Sequence, residues 1–182
     1  MKTNNIFKLI ASILVCESAG AIGALFTTPS VATWYAGIAR PPLSPPNWVF
    51  GPVWTLLFAL LGVALFLVWK SGWRVKNPVL AGKGRRAWNP VSERLWSGDW
   101  QKANIIALFS VQYVLNVLWS FLFFGLHLPG LAFFELLALL CSIVYVMVNF
   151  YRVSKAAAWL LLPYLLWVTF AGLLNFMIWT LN

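Results

Sequence analysis

The sequence predicts an all-α membrane protein built as a bundle of five transmembrane helices. Three observations carry that reading: an extreme composition, five apolar stretches of spanning length, and a one-sided placement of positive charge. Of the 182 residues, 62% are hydrophobic and 9% charged, with a mean hydropathy of +0.82. An ordinary soluble domain is roughly 45–50% apolar and about 25% charged. A soluble fold of this size leaves about 30% of its unfolded surface exposed, too much to hide so many apolar side chains. Disorder is excluded by the opposite argument, few charges and many aromatics. The two cysteines, Cys16 and Cys141, both lie in apolar runs and make no disulfide framework.

A spanning helix needs about 20 mostly apolar residues. The first candidate covers 9–26 and is interrupted only by Glu17. The second, 47–69, and the third, 103–126, carry no charge. The fourth, 128–151, contains Glu135, and the fifth, 156–181, is uncharged throughout. The whole chain, 1–182, reads as one domain. The first stretch also has features of a signal peptide, since Lys2 and Lys8 precede the apolar core and Ser18, Ala19, Gly20 and Ala21 are small.

The formal net charge of +9 raises the question of nucleic acid. Placement answers it. Of 13 Lys and Arg, eight fall within residues 70–102, and the others flank apolar runs. With five spans, twelve cations share one side and Arg40 stands alone on the other. The positive-inside rule then puts the N-terminus inside and the C-terminus outside, and no nucleic-acid partner is expected. The charge bias and the lack of an organelle-targeting pattern suggest a bacterial cell membrane.

Two connections are long. Residues 27–46 carry Pro29, Pro41, Pro42, Pro45 and Pro46, which predicts a stiff, largely non-helical strap. Residues 71–101 mix cations with Trp73, Trp88, Trp96 and Trp100. That mixture fits either a surface lying on anionic headgroups or a solvated loop that follows the topology rule.

Metal and nucleophile chemistry find no foothold. His127, the sole histidine, sits in the short turn between the third and fourth spans, without Cys or carboxylate at ligand spacing. It reads as an interfacial residue. Gly82, Lys83 and Gly84 lack the strand–loop–helix context of a phosphate loop. Glu17 and Glu135 are ionisable groups inside the membrane. With no cation at matching depth, a neutral, hydrogen-bonded form is the expected solution, as a structural tie or in proton-coupled function.

Aromatics dominate, with 12 Trp, 14 Phe and 5 Tyr. Trp69, Trp159 and Trp179 are expected at membrane interfaces. Trp54 and Phe58 share a helix face, Asn116 and Trp119 put an amide beside an indole, and Trp167, Ala171 and Leu174 follow one face of the last span. Large rings beside a small residue and an amide suit a flat aromatic ligand; tight helix packing would give the same spacing.

At these positions the sequence resembles the translocator protein family, also called tryptophan-rich sensory proteins (TspO/MBR). The resemblance runs through Trp34-Tyr35-Ala36-Gly37 and Pro45-Pro46-Asn47-Trp48-Val49-Phe50-Gly51-Pro52-Val53-Trp54-Thr55. It resumes at Leu115-Asn116-Val117-Leu118-Trp119-Ser120, with Phe123-Phe124-Gly125. It ends with Leu162-Pro163-Tyr164-Leu165-Leu166-Trp167-Val168-Thr169-Phe170-Ala171 and Leu174-Asn175. The resemblance implies five helices enclosing a ligand pocket closed on one side by the first loop, usually in a homodimer. It implies no intrinsic cofactor, but binding of tetrapyrroles (porphyrin or haem) and of other flat hydrophobic small molecules. Carried over by position, the ligand-binding residues are Tyr35, Pro45, Trp54, Phe58, Asn116, Trp119, Trp167, Ala171 and Leu174.

Some bacterial members of the family are similar in promoting light-dependent porphyrin breakdown, which would involve Trp54 and Trp167. The other alternative is a membrane scaffold acting through the basic loop. An acid at Glu135 looks usual for the family. Two features depart from it. Phe176 stands where a sterol motif would have Tyr, with no cation following, and the cationic loop is longer than expected.

Overall fold

The computed structural model describes residues 3–72 and 98–182, with side chains for 4–72 and 102–182. The expectations for Trp73, Trp88, Trp96, Trp100 and the cationic loop surface fall outside the described side chains. The elements are α1 (Thr3–Ala32), α2 (Trp34–Gly37), α3 (Asn47–Lys70), α4 (Gly98–Ser120), α5 (Pro129–Val153), α6 (Lys155–Leu160) and α7 (Leu162–Leu181). A π-helical turn, Phe121–Gly125, continues α4. Five segments are long and apolar enough to cross a membrane: Asn4–Ala32, Asn47–Lys70, Lys102–Gly125, Pro129–Val153 and Lys155–Leu181. Runs rich in Val, Ile and Phe stay helical here because hydrocarbon offers backbone N–H and C=O groups no partner outside the segment.

The spans form a closed ring. Helix α1 packs on α3 and α4, α5 packs on α4 and α7, and α3 closes the ring against α6. Gly62 sets the tightest crossing, since a Cβ there would lie 2.6 Å from the Ile13 Cα. Small residues at such crossings let backbones approach where lipid supplies no hydrophobic drive for association. The end of the bundle nearest Lys70 and Lys155 is solid, with Leu61, Val68, Phe109, Phe150, Ala157 and Leu161 packed together. Leu14, Leu25, Leu56, Phe134 and Leu166 point outward, as a lipid-facing surface requires.

Three expectations are corrected. The strap does not begin at residue 27: α1 continues through Pro29 to Ala32, and α2 forms a further turn. Proline costs the helix one N–H donor, and the ladder resumes around it. Thr33 Oγ1 donates to the Pro29 carbonyl at 2.9 Å, occupying an acceptor at the helix end. Within 27–46, only Thr33 and residues 38–46 are non-helical, and the latter make the strap. They are held by Asn182, whose amide accepts from Ala39 N and donates to Ala39 O, both at 3.0 Å.

The fifth span crosses as one segment, Lys155–Leu181, but is interrupted where an unbroken helix was expected. It breaks at Leu161, and Pro163 opens α7 in the first turn, where a missing N–H costs nothing. The third correction concerns Glu135. Both carboxyl oxygens are buried without a hydrogen-bond partner among the described residues, where a hydrogen-bonded form was expected. Its neighbours on α5, Ala132, Leu136 and Leu139, are apolar and almost fully buried.

Candidate functional site

In the other half of the ring, toward residues 33–46, the helices part around a cavity of about 650 Å³. Five helices, α1, α2 (through Tyr35), α3, α4 and α7, and the π-helical turn supply its walls. Helix α1 presents small residues, including Gly20, Ala21, Gly23 and Ala24, so the space is left by what α1 lacks. Helix α3 presents Asn47, Phe50, Gly51, Trp54, Thr55 and Phe58, and α7 presents Ala171, Leu174, Asn175 and Ile178. Helix α4 and its extension present Asn116, Trp119, Ser120, Phe123 and Phe124. On one side Ala21, Ala24 and Thr28 of α1 face Gly51 and Thr55 of α3, and all five are exposed. The cavity therefore opens sideways between α1 and α3.

The aromatic wall is continuous. Phe58 stacks on Trp54 with centroids 5.4 Å apart, Trp54 lies 6.4 Å from Trp119, and Trp119 stacks on Phe123 at 5.4 Å. The π-helical turn makes the last step. Leu126 N donates back to the Phe121 carbonyl at 2.8 Å, and this wider turn narrows the angle between successive side chains. Leu122, Phe123 and Phe124 are consequently all buried, and the two phenylalanines both reach the cavity. Tyr35 meets Phe124 edge-on at 5.7 Å. Beyond it Trp34 stacks on His127 at 4.4 Å, and His127 Nε2 lies 3.0 Å from Ser30 Oγ. His127 thus ties the α4–α5 turn to α1, with its backbone at φ 57°.

Hydrogen bonds hold the polar lining. Asn116 Nδ2 donates to Tyr164 Oη at 2.8 Å, a bond buried between α4 and α7. Trp119 Nε1 donates to Asn175 Oδ1 at 3.1 Å, and Asn175 Nδ2 donates to the Pro129 carbonyl at 2.7 Å. These bonds fix two wall residues against helices that do not follow them in the chain.

Charge is divided between the ends. Glu17 lines the cavity far from the strap. At the strap end the Arg40 guanidinium lies 5.3 Å from the Tyr35 ring centroid, and Arg40 Nη1 donates to Asn47 Oδ1 at 3.3 Å. Burial pushes the Tyr35 phenol above its ordinary value, and nearby Arg40 opposes this only in part.

Of the nine expected site residues, the structure brings seven to the cavity: Tyr35, Trp54, Phe58, Asn116, Trp119, Ala171 and Leu174. Pro45 and Trp167 are not among its lining. Pro45 is half-buried in the 38–46 segment. Trp167 packs edge-on against Phe50 at 6.1 Å and tilted against Phe170 at 5.6 Å, with its Nε1 buried and without a hydrogen-bond partner among the described residues. It backs a wall residue and does not form the wall. The sequence reading missed Asn175 as a site residue, although an amide in an uncharged apolar span was a signal. It also missed Phe123 and Phe124, whose inward turn depends on the π geometry.

Comparison with known proteins agrees with this architecture. The TspO/MBR family model matches residues 12–180. The chain is 41% identical to the tryptophan-rich protein TspO of Archaeoglobus fulgidus, covering 98% of this chain and 99% of that one. It is 37% identical to the protein of the same name from Chlorobaculum tepidum, covering 97% of each. Identity to the Homo sapiens translocator protein is 34%, covering 88% of this chain and 82% of the human one. Five membrane-spanning helices, a match over nearly the full length and relatives of this similarity lead to one conclusion: the chain belongs to the TspO/MBR family.

Proposed function

We propose that the cavity binds a tetrapyrrole, porphyrin or haem, and that the protein senses, carries or disposes of it in the membrane. The observation that carries this reading is the cavity of about 650 Å³, walled by Phe58, Trp54, Trp119 and Phe123 in succession. Small-molecule sites typically fall between about 300 and 1,000 Å³, with apolar and aromatic walls and a few placed polar groups. A macrocycle would lie against the Trp54–Trp119 wall and face Ala171 and Leu174. Arg40 is exposed and outside the lining, but it lies beside Tyr35 and Asn47 at the strap end, where it would meet propionates reaching past the mouth. The sideways opening between α1 and α3 gives a hydrophobic ligand a path from the bilayer. Other flat hydrophobic molecules would use the same wall.

The test is the absorption spectrum of protein purified from a porphyrin-producing host, followed by titration with protoporphyrin IX in nanodiscs. A Soret band that shifts and saturates at one site supports the proposal. A spectrum that never differs from empty nanodiscs plus porphyrin rejects it.

Light-driven porphyrin breakdown is a second reading, favoured by one observation: Trp54 and Trp119 both stand on the cavity wall, 6.4 Å apart. Trp167, behind Phe50, would act there only through the wall. Faster bleaching of bound porphyrin in wild type than in Trp54→Phe would support it, and equal bleaching would leave a binding protein. The proposed setting is a homodimer in a bacterial cell membrane, with N-terminus inside and C-terminus outside, in contact with lipid and without nucleic acid. The charge asymmetry of the chain supports the orientation, and the homodimer rests on the family resemblance alone.

A further inference from the structure

The end of the cavity far from the strap carries a carboxylate that the binding of an anionic macrocycle leaves unused. Glu17 faces into the lining. No basic side chain among the described residues pairs with it, so the neutral form expected from the sequence holds until a bound cation supplies the missing partner and favours the carboxylate. Lys8, on the same helix, points the other way and sits over the Trp69 ring at 5.5 Å. Arg40 lies beyond the far end of α1, and ~22 Å of helix rise separates Glu17 from Ala32.

The level of Glu17 follows from helix register. Helices α1 and α3 run antiparallel and touch at Ile13 and Gly62. One turn along α1 from Ile13 is Glu17, and one turn back along α3 from Gly62 is Phe58. Gly20, the next turn of α1, confirms the closeness, since a Cβ there would lie 2.8 Å from Phe58 Cε2. The carboxylate therefore stands level with the stacked Phe58–Trp54 pair, whose centroids are 5.4 Å apart.

We propose that Glu17 and the Phe58–Trp54 stack form a cation-selective subsite that takes flat aromatic ligands bearing a positive charge. The chemistry is convergent. Aromatic faces attract a cation through the ring quadrupole, and an opposite charge in a water-poor cavity adds an attraction that bulk water would screen. The sideways opening at Ala21 and Thr55 lies about one turn from this subsite, so an amphiphilic cation can enter with its rings in the hydrocarbon. The proposal rests on the cavity being a ligand site, and it adds a second ligand class at the opposite end from Arg40.

The test compares acridine, neutral at neutral pH, with N-methylacridinium, the same ring carrying a fixed positive charge. Both are titrated against wild type, Glu17→Gln, Glu17→Asp and Ala171→Phe in phosphatidylcholine nanodiscs, with empty discs subtracted. Wild type should bind the cation about tenfold more tightly than acridine. Glu17→Gln should reduce that ratio to about twofold or less, chiefly by weakening the cation, and Glu17→Asp should keep most of it. Should Glu17→Gln not fold, Glu17→Ser removes the charge independently, and acridine binding reports that the site is intact. No preference in wild type, or an undiminished preference without the carboxylate, overturns the subsite. If Ala171→Phe weakens both ligands while the preference survives Glu17→Gln, only the subsite fails. If Ala171→Phe weakens neither, the cavity reading fails with it.

Discussion

Trp119 donates its indole N–H to Asn175 Oδ1 across 3.1 Å, and the Asn175 amide passes the connection on to the Pro129 carbonyl at 2.7 Å. One side chain on α7 thereby sets the tilt of the central wall indole and clamps the start of α5. Asn175→Leu keeps the volume and removes both bonds. It should cost about 1–2 kcal/mol, because two part-buried groups lose their partners inside the bundle. The thermal unfolding midpoint in detergent checks this, and porphyrin affinity should fall in the same variant as Trp119 loosens. An unchanged midpoint would mean that the indole is held by packing alone.

Trp54 and Trp167 should not behave alike. Trp54 faces the cavity, whereas Trp167 lies against Phe50 and Phe170. Trp54→Ala should weaken protoporphyrin binding roughly tenfold by removing the stacking surface. Trp167→Leu should change it by less than about threefold, because its effect passes through Phe50. Tryptophan-quenching titrations measure both, and equal losses would put Trp167 on the wall.

How much of this was legible in the sequence depends on what decides each feature. The five spans were legible because bilayer thickness and backbone satisfaction leave apolar runs no alternative. The α1 extension past Pro29 and the break at Leu161 were not, since a proline may end a helix, kink it or start the next. Spacing placed Trp54 with Phe58 and Trp167 with Ala171 on their own helices. It carried no information on which face meets another helix, and so could not tell that Phe50 screens Trp167. The Trp119–Asn175 bond joins residues far apart in the chain and is a property of the assembled ring. The turn at Phe121–Gly125 leaves no periodicity to read, yet it delivers two wall residues.

Gly62 should be intolerant where Gly51 is not. A Cβ at Gly62 would press on Ile13 backbone, which cannot rotate away, whereas one at Gly51 would meet nothing within 4 Å among the described residues. Gly62→Ala should cost about 1–3 kcal/mol as α1 and α3 are forced apart. Gly51→Ala should stay within about 0.5 kcal/mol of wild type or stabilise slightly through helix propensity. Unfolding midpoints of the two variants decide it; similar shifts would contradict the close crossing.

Tyr35 should make stability fall at alkaline pH. Its phenol ionises at higher pH in the folded chain than in the unfolded one, mainly through burial. Its contribution is therefore complete below the ordinary value of about 10 and is lost as pH rises toward the folded value. Denaturant unfolding of wild type and Tyr35→Phe across that window should show wild type declining more steeply. Parallel curves, or a steeper decline in the variant, would mean that the phenol is not desolvated.

The most direct measurement is a protoporphyrin IX titration of wild type and Ala171→Phe, followed by tryptophan fluorescence in nanodiscs. Ala171 lines the void opposite the indole wall, so a phenylalanine there occupies the space a macrocycle needs. The account predicts saturable quenching in wild type and at least a tenfold loss of affinity in the variant, with its unfolding midpoint little changed. Identical titration curves would contradict it, because a ligand indifferent to a ring placed in that space is bound somewhere else.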